Sequence, residues 1–260
     1  MAHNIYQNFV LANEIEDQYN SLLDLSTFCT VDNSLVGTAG MTKKINVYSA
    51  TDGTEKLDMG EGNTKDIEVS YAGKDYTILL AQNRFKYFDE QEMTDPMVVT
   101  TGLRHMATDM FNTVNADVFA EFGKATLAHT ATTPDFGCFA DAAALLNVEN
   151  LEGMGLFAFV NPADMAKVRK ALKDELKYVE AFAKNGYVGT VAGWNLYTKK
   201  DAVAGTILGG TREAVTLFNK RGVEVEQGRD EDIRQNTIWS RKYYLAALTD
   251  ATKAVKITIS

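Results

Sequence analysis

The chain has 260 residues, 45% of them hydrophobic and 23% charged, with three prolines, two cysteines and a formal net charge of −9. That composition excludes a disordered chain and a disulfide-stapled mini-protein, and predicts a chain folded almost throughout. The acid excess argues against direct nucleic-acid binding, which draws its affinity from Lys and Arg neutralising phosphates.

The charge is regional. Residues 1–100 hold 7 Lys and Arg against 16 Asp and Glu, whereas residues 101–260 hold 19 of each. Residues 1–35 read as an arm: Asn, Gln, Glu and Asp interleave with single apolar residues, and only Tyr19–Phe28 has a helix-like apolar face. No stretch here or later reaches the roughly 18 to 20 apolar residues of a membrane span. Met1–Val10 also lacks the basic start and apolar run of a signal peptide, so a cytoplasmic chain without a membrane partner is expected.

From Ile45 to Phe88 the pattern turns to strands. Ile67, Val69 and Tyr71 alternate with Glu68 and Ser70, and a β-rich run follows from Tyr76 to Phe88. Between Ser49 and Asp66, Gly53, Gly60 and Gly62 stand among five acidic residues, a composition suited to a loop tip. The prediction is a long two-stranded excursion, which is marginal alone in water and so expected to lie against a partner.

Thr94-Asp95-Pro96 then supplies a helix cap and a first-turn proline, and apolar residues recur at Leu103, Met106, Met110, Val114, Val118 and Phe122. The spacing predicts an amphipathic helix running to about Ala128, through Gly123, roughly 50 Å long at about 1.5 Å per residue. Thr130–Phe136, with Pro134, ends it.

The second half alternates α and β pieces. Leu156–Val160 is a short buried strand, and Asn161-Pro162-Ala163-Asp164 opens a helix reaching at least Lys173. Gly186–Tyr197 is glycine-punctuated β structure, followed by a turn at Lys199–Gly205. Strand-like runs follow at Ala214–Phe218, Val223–Val225, Trp239–Leu248 and Ala254–Ile259.

Sites for catalysis are hard to find. His3, His105 and His129 have no second ligand at a zinc-type spacing, and Cys29 and Cys138 form no CxxC pair and read as reduced, buried thiols. No Ser sits in a GxSxG elbow. Gly60-Glu61-Gly62 places an acid where a phosphate would sit, and Gly186, Gly189 and Gly193 precede no helix. The cluster Asp230, Glu231, Asp232 lacks a calcium-loop pattern, and the flanking Arg229 and Arg234 predict ion pairs instead. No cofactor, metal or catalytic residue is expected.

The order of these pieces, together with the segments Asn161–Asp174 (NPADMAKVRKALKD), Gly186–Lys200 (GYVGTVAGWNLYTKK) and Glu224–Ile257, resembles the major capsid proteins of tailed bacteriophages. The resemblance covers nearly the whole chain. It implies an α+β fold with an N-arm (1–36), a long hairpin called the E-loop (43–89), a spine helix (95–128) and an α/β axial or A domain (138–228). A discontinuous peripheral or P domain (37–137 and 229–260) completes it. It further implies hexamers and pentamers closing an icosahedral shell around double-stranded DNA, in a virion assembled in a bacterial cytoplasm.

Relatives that carry their own scaffold have a helical extension before the arm, so the resemblance implies either a separate scaffolding protein, which the initial Met favours, or a mature product of a longer chain, and in both cases a portal. Some relatives crosslink an E-loop Lys to an Asn. Lys56, Lys65 and Lys74 lie in that region, but no matching Asn and Glu are found and none is assigned. An encapsulin shell of the same fold is the alternative, and a soluble α/β enzyme a distant one. The subunit-interface residues expected are Asp58, Glu61 and Asp66, meeting basic residues of an adjacent copy, together with Arg229 and Arg234.

Overall fold

A computed structural model describes residues 23–147, 155–173 and 189–260. The reading of residues 1–22 as an arm, with His3, and the segment 174–188 lie outside these. The described chain begins with a 3-10 turn at Leu25–Phe28, capped by the Asp24 carboxylate on the Ser26 amide, and a short strand β1 (Thr30–Asp32).

Strands β2 (Thr42–Ala50) and β3 (Val69–Thr77) pair antiparallel from Thr42↔Thr77 to Ala50↔Val69, forming the expected excursion. The β-rich run Tyr76–Phe88 is not one strand. It breaks at Ile78, whose amide bonds the Met41 carbonyl at 2.8 Å and whose side chain is buried with Tyr76, Phe218 and Ala247. Beyond this pivot, β4 (Leu79–Phe88) leaves the hairpin and pairs elsewhere. A short helix α1 (Asp89–Thr94), not foreseen, follows as Gln91 accepts the Phe88 amide at 3.0 Å.

The long helix is α2 (Met97–Phe122). Asp95 Oδ1 accepts the Met97 amide at 2.9 Å, and Pro96 sits where a missing N–H costs nothing. The helix stops at Gly123, not near Ala128, so its 26 residues span about 39 Å. Tertiary pairing overrides helix propensity here: Leu127–Ala131 becomes β5 and runs parallel to a C-terminal strand. The buried stripe is Gly102, Met106, Met110, Val114, Val118 and Phe122. Leu103 is 41% exposed and does not belong to it. Its place is taken by Gly102, on which the Phe85 ring lies so close that a Cβ would come within 2.5 Å of Cζ.

After α3 (Phe136–Leu145), capped by Asp135 on the Cys138 amide, comes β6 (Leu156–Val160), buried at every position. Helix α4 (Pro162–Ala171) opens as its sequence predicts. Asn161 Oδ1 accepts the Ala163 amide at 2.9 Å, and buried Asp164 accepts the Gly205 amide at 2.6 Å. Strands β7 (Thr190–Val191) and β8 (Trp194–Thr198) turn on Ala192 and Gly193, both at positive φ (46° and 83°). Strand β9 (Thr206–Gly210) follows. The two expected runs near 214–225 are one long strand, β10 (Val215–Asp230), with register shifts between Asn219 and Glu224. The chain continues through β11 (Gln235–Leu248) to β12 (Ala254–Ile259).

Two larger sheets result. The order β1-β10-β11-β4 makes one, and β5-β12-β9-β6-β8-β7 the other. Residue 228, the expected end of the A domain, lies within β10, and β12 joins the six-stranded sheet.

Helix α2 packs against both sheets. Val114, Val118 and Phe122 share a core with Phe157, Phe159 and Leu208 of the six-stranded sheet and with Leu217, Tyr244 and Ala246 of the other. The opposite face of the six-stranded sheet carries Leu156, Ala158, Val160, Ile207 and Ile257 against Phe139 of α3 and Val168 of α4. Burial on both faces explains why β6 reads as a continuous apolar run without alternation.

Sheet and connection meet closely at Gly210, where an added Cβ would lie 2.4 Å from the Lys253 carbonyl oxygen, a backbone atom unable to yield. Gly210→Ala is therefore expected to lower stability by about 1 to 3 kcal/mol. Urea unfolding followed by circular dichroism measures it; an unchanged midpoint would contradict the contact.

Candidate assembly surfaces

Among the described residues, the hairpin β2–β3 is anchored at its base. Tyr76 lies against Phe218 with ring centroids 5.2 Å apart, and the Lys43 ammonium bonds Asp32 and Ser34 while facing the Phe218 ring at 5.7 Å. Nine ladder positions carry the strands about 30 Å, at roughly 3.4 Å per residue, away from that base.

Past Ala50 the loop stays narrow. The Thr51 amide bonds the Glu68 carbonyl at 3.0 Å, and Glu55 accepts both the amide and hydroxyl of Thr64 at 2.7 Å. The Thr64 hydrogen bonds hold the Glu55 carboxyl below its usual range. The tip turns where the Glu61 amide meets the Asp58 carbonyl at 3.1 Å, with Gly60 at φ +96°, a conformation that suits glycine.

Asp58, Glu61 and Asp66 are all exposed on this loop, and among the described residues no cation pairs with them. Beside them Leu57, Met59, Ile67 and Val69 are exposed apolar groups. Of the three lysines in the region, Lys74 faces the Tyr76 ring at 5.3 Å, and Lys56 and Lys65 are exposed.

A second surface closes the far end of the four-stranded sheet. Arg229 bonds Asp89 of α1 at 2.8 Å and Glu231 at 3.1 Å, Asn236 bonds Asp89 at 2.8 Å, and Arg234 bonds Glu90 at 2.7 Å. The ion pairs expected of Arg229 and Arg234 thus form, chiefly to carboxylates of α1, whose presence the sequence did not reveal. The structure does not bring them near the hairpin tip: they belong to a different sheet.

A third surface is an edge. Strand β1 covers β10 only from Thr216 to Phe218, and among the described residues no strand pairs with its outer side from Asn219 to Asp230, where Val223 and Val225 are exposed. Unpaired edges of this kind invite another chain.

Among the described residues the chemistry-bearing side chains are not assembled into a site. Burial pushes the thiols of Cys29 and Cys138 up to about 11, keeping them protonated and poorly nucleophilic at neutral pH. His105 is exposed on α2, and His129 is partly buried on β5, opposite Ile257. Among the described residues no three His, Cys, Asp or Glu side chains are placed to hold a metal ion. Asp230 instead accepts the Asp232 amide at 3.2 Å within the β10–β11 turn.

Comparison with known proteins gives consistent likenesses. No family model matches the chain. The major capsid protein of Staphylococcus phage phiMR11 is 27% identical over 259 residues, covering 96% of this chain and 92% of that protein. Among solved structures, the capsid of cyanophage P-SCSP1u superposes with a TM-score of 0.73 at 13% identity, over 90% of this chain and 86% of that one. A virus-like particle from Pyrococcus furiosus superposes at 0.59 with 12% identity, over 93% of each chain.

Proposed function

We infer that this chain, which has the shell fold of tailed-phage capsid subunits, is the major capsid protein of a tailed phage: a structural virion subunit that associates with copies of itself to build the head. The observation that carries this is the alignment with a phage major capsid protein along almost the full length of both chains. The protruding hairpin supports it, because a two-stranded ribbon with exposed Met59, Ile67 and Val69 gains stability only by lying on another surface. The same alignment favours a virus over an encapsulin.

In this reading the copies form hexamers and pentamers that close an icosahedral shell around double-stranded DNA. A separate scaffolding protein and a portal assist, and assembly takes place in the host cytoplasm. The hairpin serves as the E-loop, α2 as the spine helix, residues 1–36 as the N-arm, and the α3–α4 layer with its sheet as the core of the A domain. Arg229 and Arg234, still part-exposed while paired, would face a neighbouring copy at the end of the P-domain sheet. Sedimentation and negative-stain microscopy of the purified chain test the function. Capsomers or shells are expected, and a protein that stays monomeric at every concentration and salt would overturn it.

The acidic tip adds an electrostatic contribution. Asp58, Glu61 and Asp66 are expected to meet basic residues of the adjacent copy, each exposed pair contributing about 0 to 1 kcal/mol but repeated throughout the shell. Replacing all three by Lys should leave the circular dichroism spectrum unchanged and impair shell closure, most at low salt. Shells like those of the unmodified chain at both low and high salt would leave the loop's charge without a role.

A further inference from the structure

Between the middle of α2 and the loop joining β8 to β9 lies a cavity of about 400 Å³ with Asn112, Asn115, Phe119, Lys199, Lys200 and Asp201 in its walls. Lys199 is the unusual member. Its side chain is only 4% exposed, its ammonium faces the Phe119 ring at 5.4 Å, and its carboxylate partner among the described residues, Asp201, is 3.2 Å away and itself 60% exposed. The lysine's backbone is held on both sides: its amide bonds the Val160 carbonyl at 3.0 Å, and its carbonyl accepts the Ala202 amide at 3.2 Å.

A buried ammonium with one half-solvated partner is poorly compensated for lost hydration. It carries three donors, and Asp201 takes one. Asn115 is already committed, accepting the Leu25 amide at 3.0 Å and donating to the Leu23 carbonyl at 3.1 Å, so it is a fixed wall.

We propose that this cavity binds a small oxyanion, a carboxylate or phosphate group, through Lys199 Nζ, with Asn112 and Lys200 lining its place. An anion there completes the donor capacity of Lys199 through charge-assisted hydrogen bonds, which are stronger than neutral ones. Binding of a free ion is independent of the shell reading, since nothing in the site's geometry requires a second copy; only the neighbour's carboxylate as a source rests on that reading. Two sources supply the same chemistry: a free ion, or a carboxylate side chain of a neighbouring copy.

The probe is inorganic phosphate, titrated against unassembled subunits with chloride at matched ionic strength, and the readout is the melting temperature. A saturable rise is expected. Lys199→Met, which keeps the apolar stem, should shift its midpoint by roughly tenfold or more toward weaker binding. Asn112→Leu should weaken it less, and decides the matter if Lys199→Met does not fold. No rise beyond that in chloride, or the same midpoint in whichever variants fold, would overturn the site. Repeating the titration by calorimetry on assembled particles separates the sources: retained binding identifies a free ion, and binding lost on assembly identifies a neighbour's carboxylate.

Discussion

Val118→Asp is expected to unfold the subunit. Val118 is fully buried on α2 in the core it shares with Phe122, Phe157, Phe159 and Leu217, a position where both sheets converge on the helix. A carboxylate there loses its hydration and has no cation in that apolar cluster. It must stay charged at high cost or be protonated, and either way the destabilisation exceeds about 4 kcal/mol. Against a total stability of about 5 to 15 kcal/mol, that removes most of the margin. Leu103→Asp, one residue off the buried stripe, is the matched control and should change stability by no more than about 0.5 kcal/mol. Urea denaturation of both variants settles the orientation of α2; equal losses would mean that its inward face is misassigned.

Replacing Asp52–Ile67 by Asn-Gly is expected to separate folding from assembly. Thr51 and Glu68 already face each other through the Thr51 amide and Glu68 carbonyl at 3.0 Å, so a two-residue turn closes the shortened hairpin without strain. None of the removed side chains belongs to a buried core cluster. The melting temperature should therefore stay within a few degrees of the parent's. Shells should disappear, because the exposed Leu57, Met59 and Ile67 go together with the acidic tip. Normal particles from this variant would remove the hairpin from the assembly mechanism.

Features that depend on neighbours in sequence were legible in advance: the Asn161-Pro162 helix start, the buried run Leu156–Val160 and the glycine-rich acidic loop. Those that depend on distant partners were not. Nothing local to Gly123 ends α2; the partner that draws Leu127–Ala131 into a sheet lies at Val255–Ile259. The length of β10 was hidden by its own irregularity, because the shifted register between Asn219 and Glu224 interrupts the alternation that marks a strand. Leu103 was misplaced because apolarity alone does not distinguish it from Gly102, which is buried by what Phe85 does. Arg229 and Arg234 were read correctly as ion-pair formers, but their partners Asp89 and Glu90 stand 140 and 144 positions away. Lys199 gave no signal at all: its burial comes from α2 and from the loop after β8.

The placement of β12 sets a clock on biosynthesis. Residues 254–259 lie between β5 and β9, inside the sheet that α2, α3 and α4 cover, and they pair in parallel with a strand 128 residues earlier, Val255 with Leu127 through Ile259 with Ala131. Until residues 254–259 are available, β5 and β9 have no strand to join them. Long-range parallel pairing of this kind is slow to form. A chain still lacking residues 254–259 leaves the facing edges of β5 and β9 unpaired, so in the proposed shell the joining surfaces of a copy are finished only after this strand has docked.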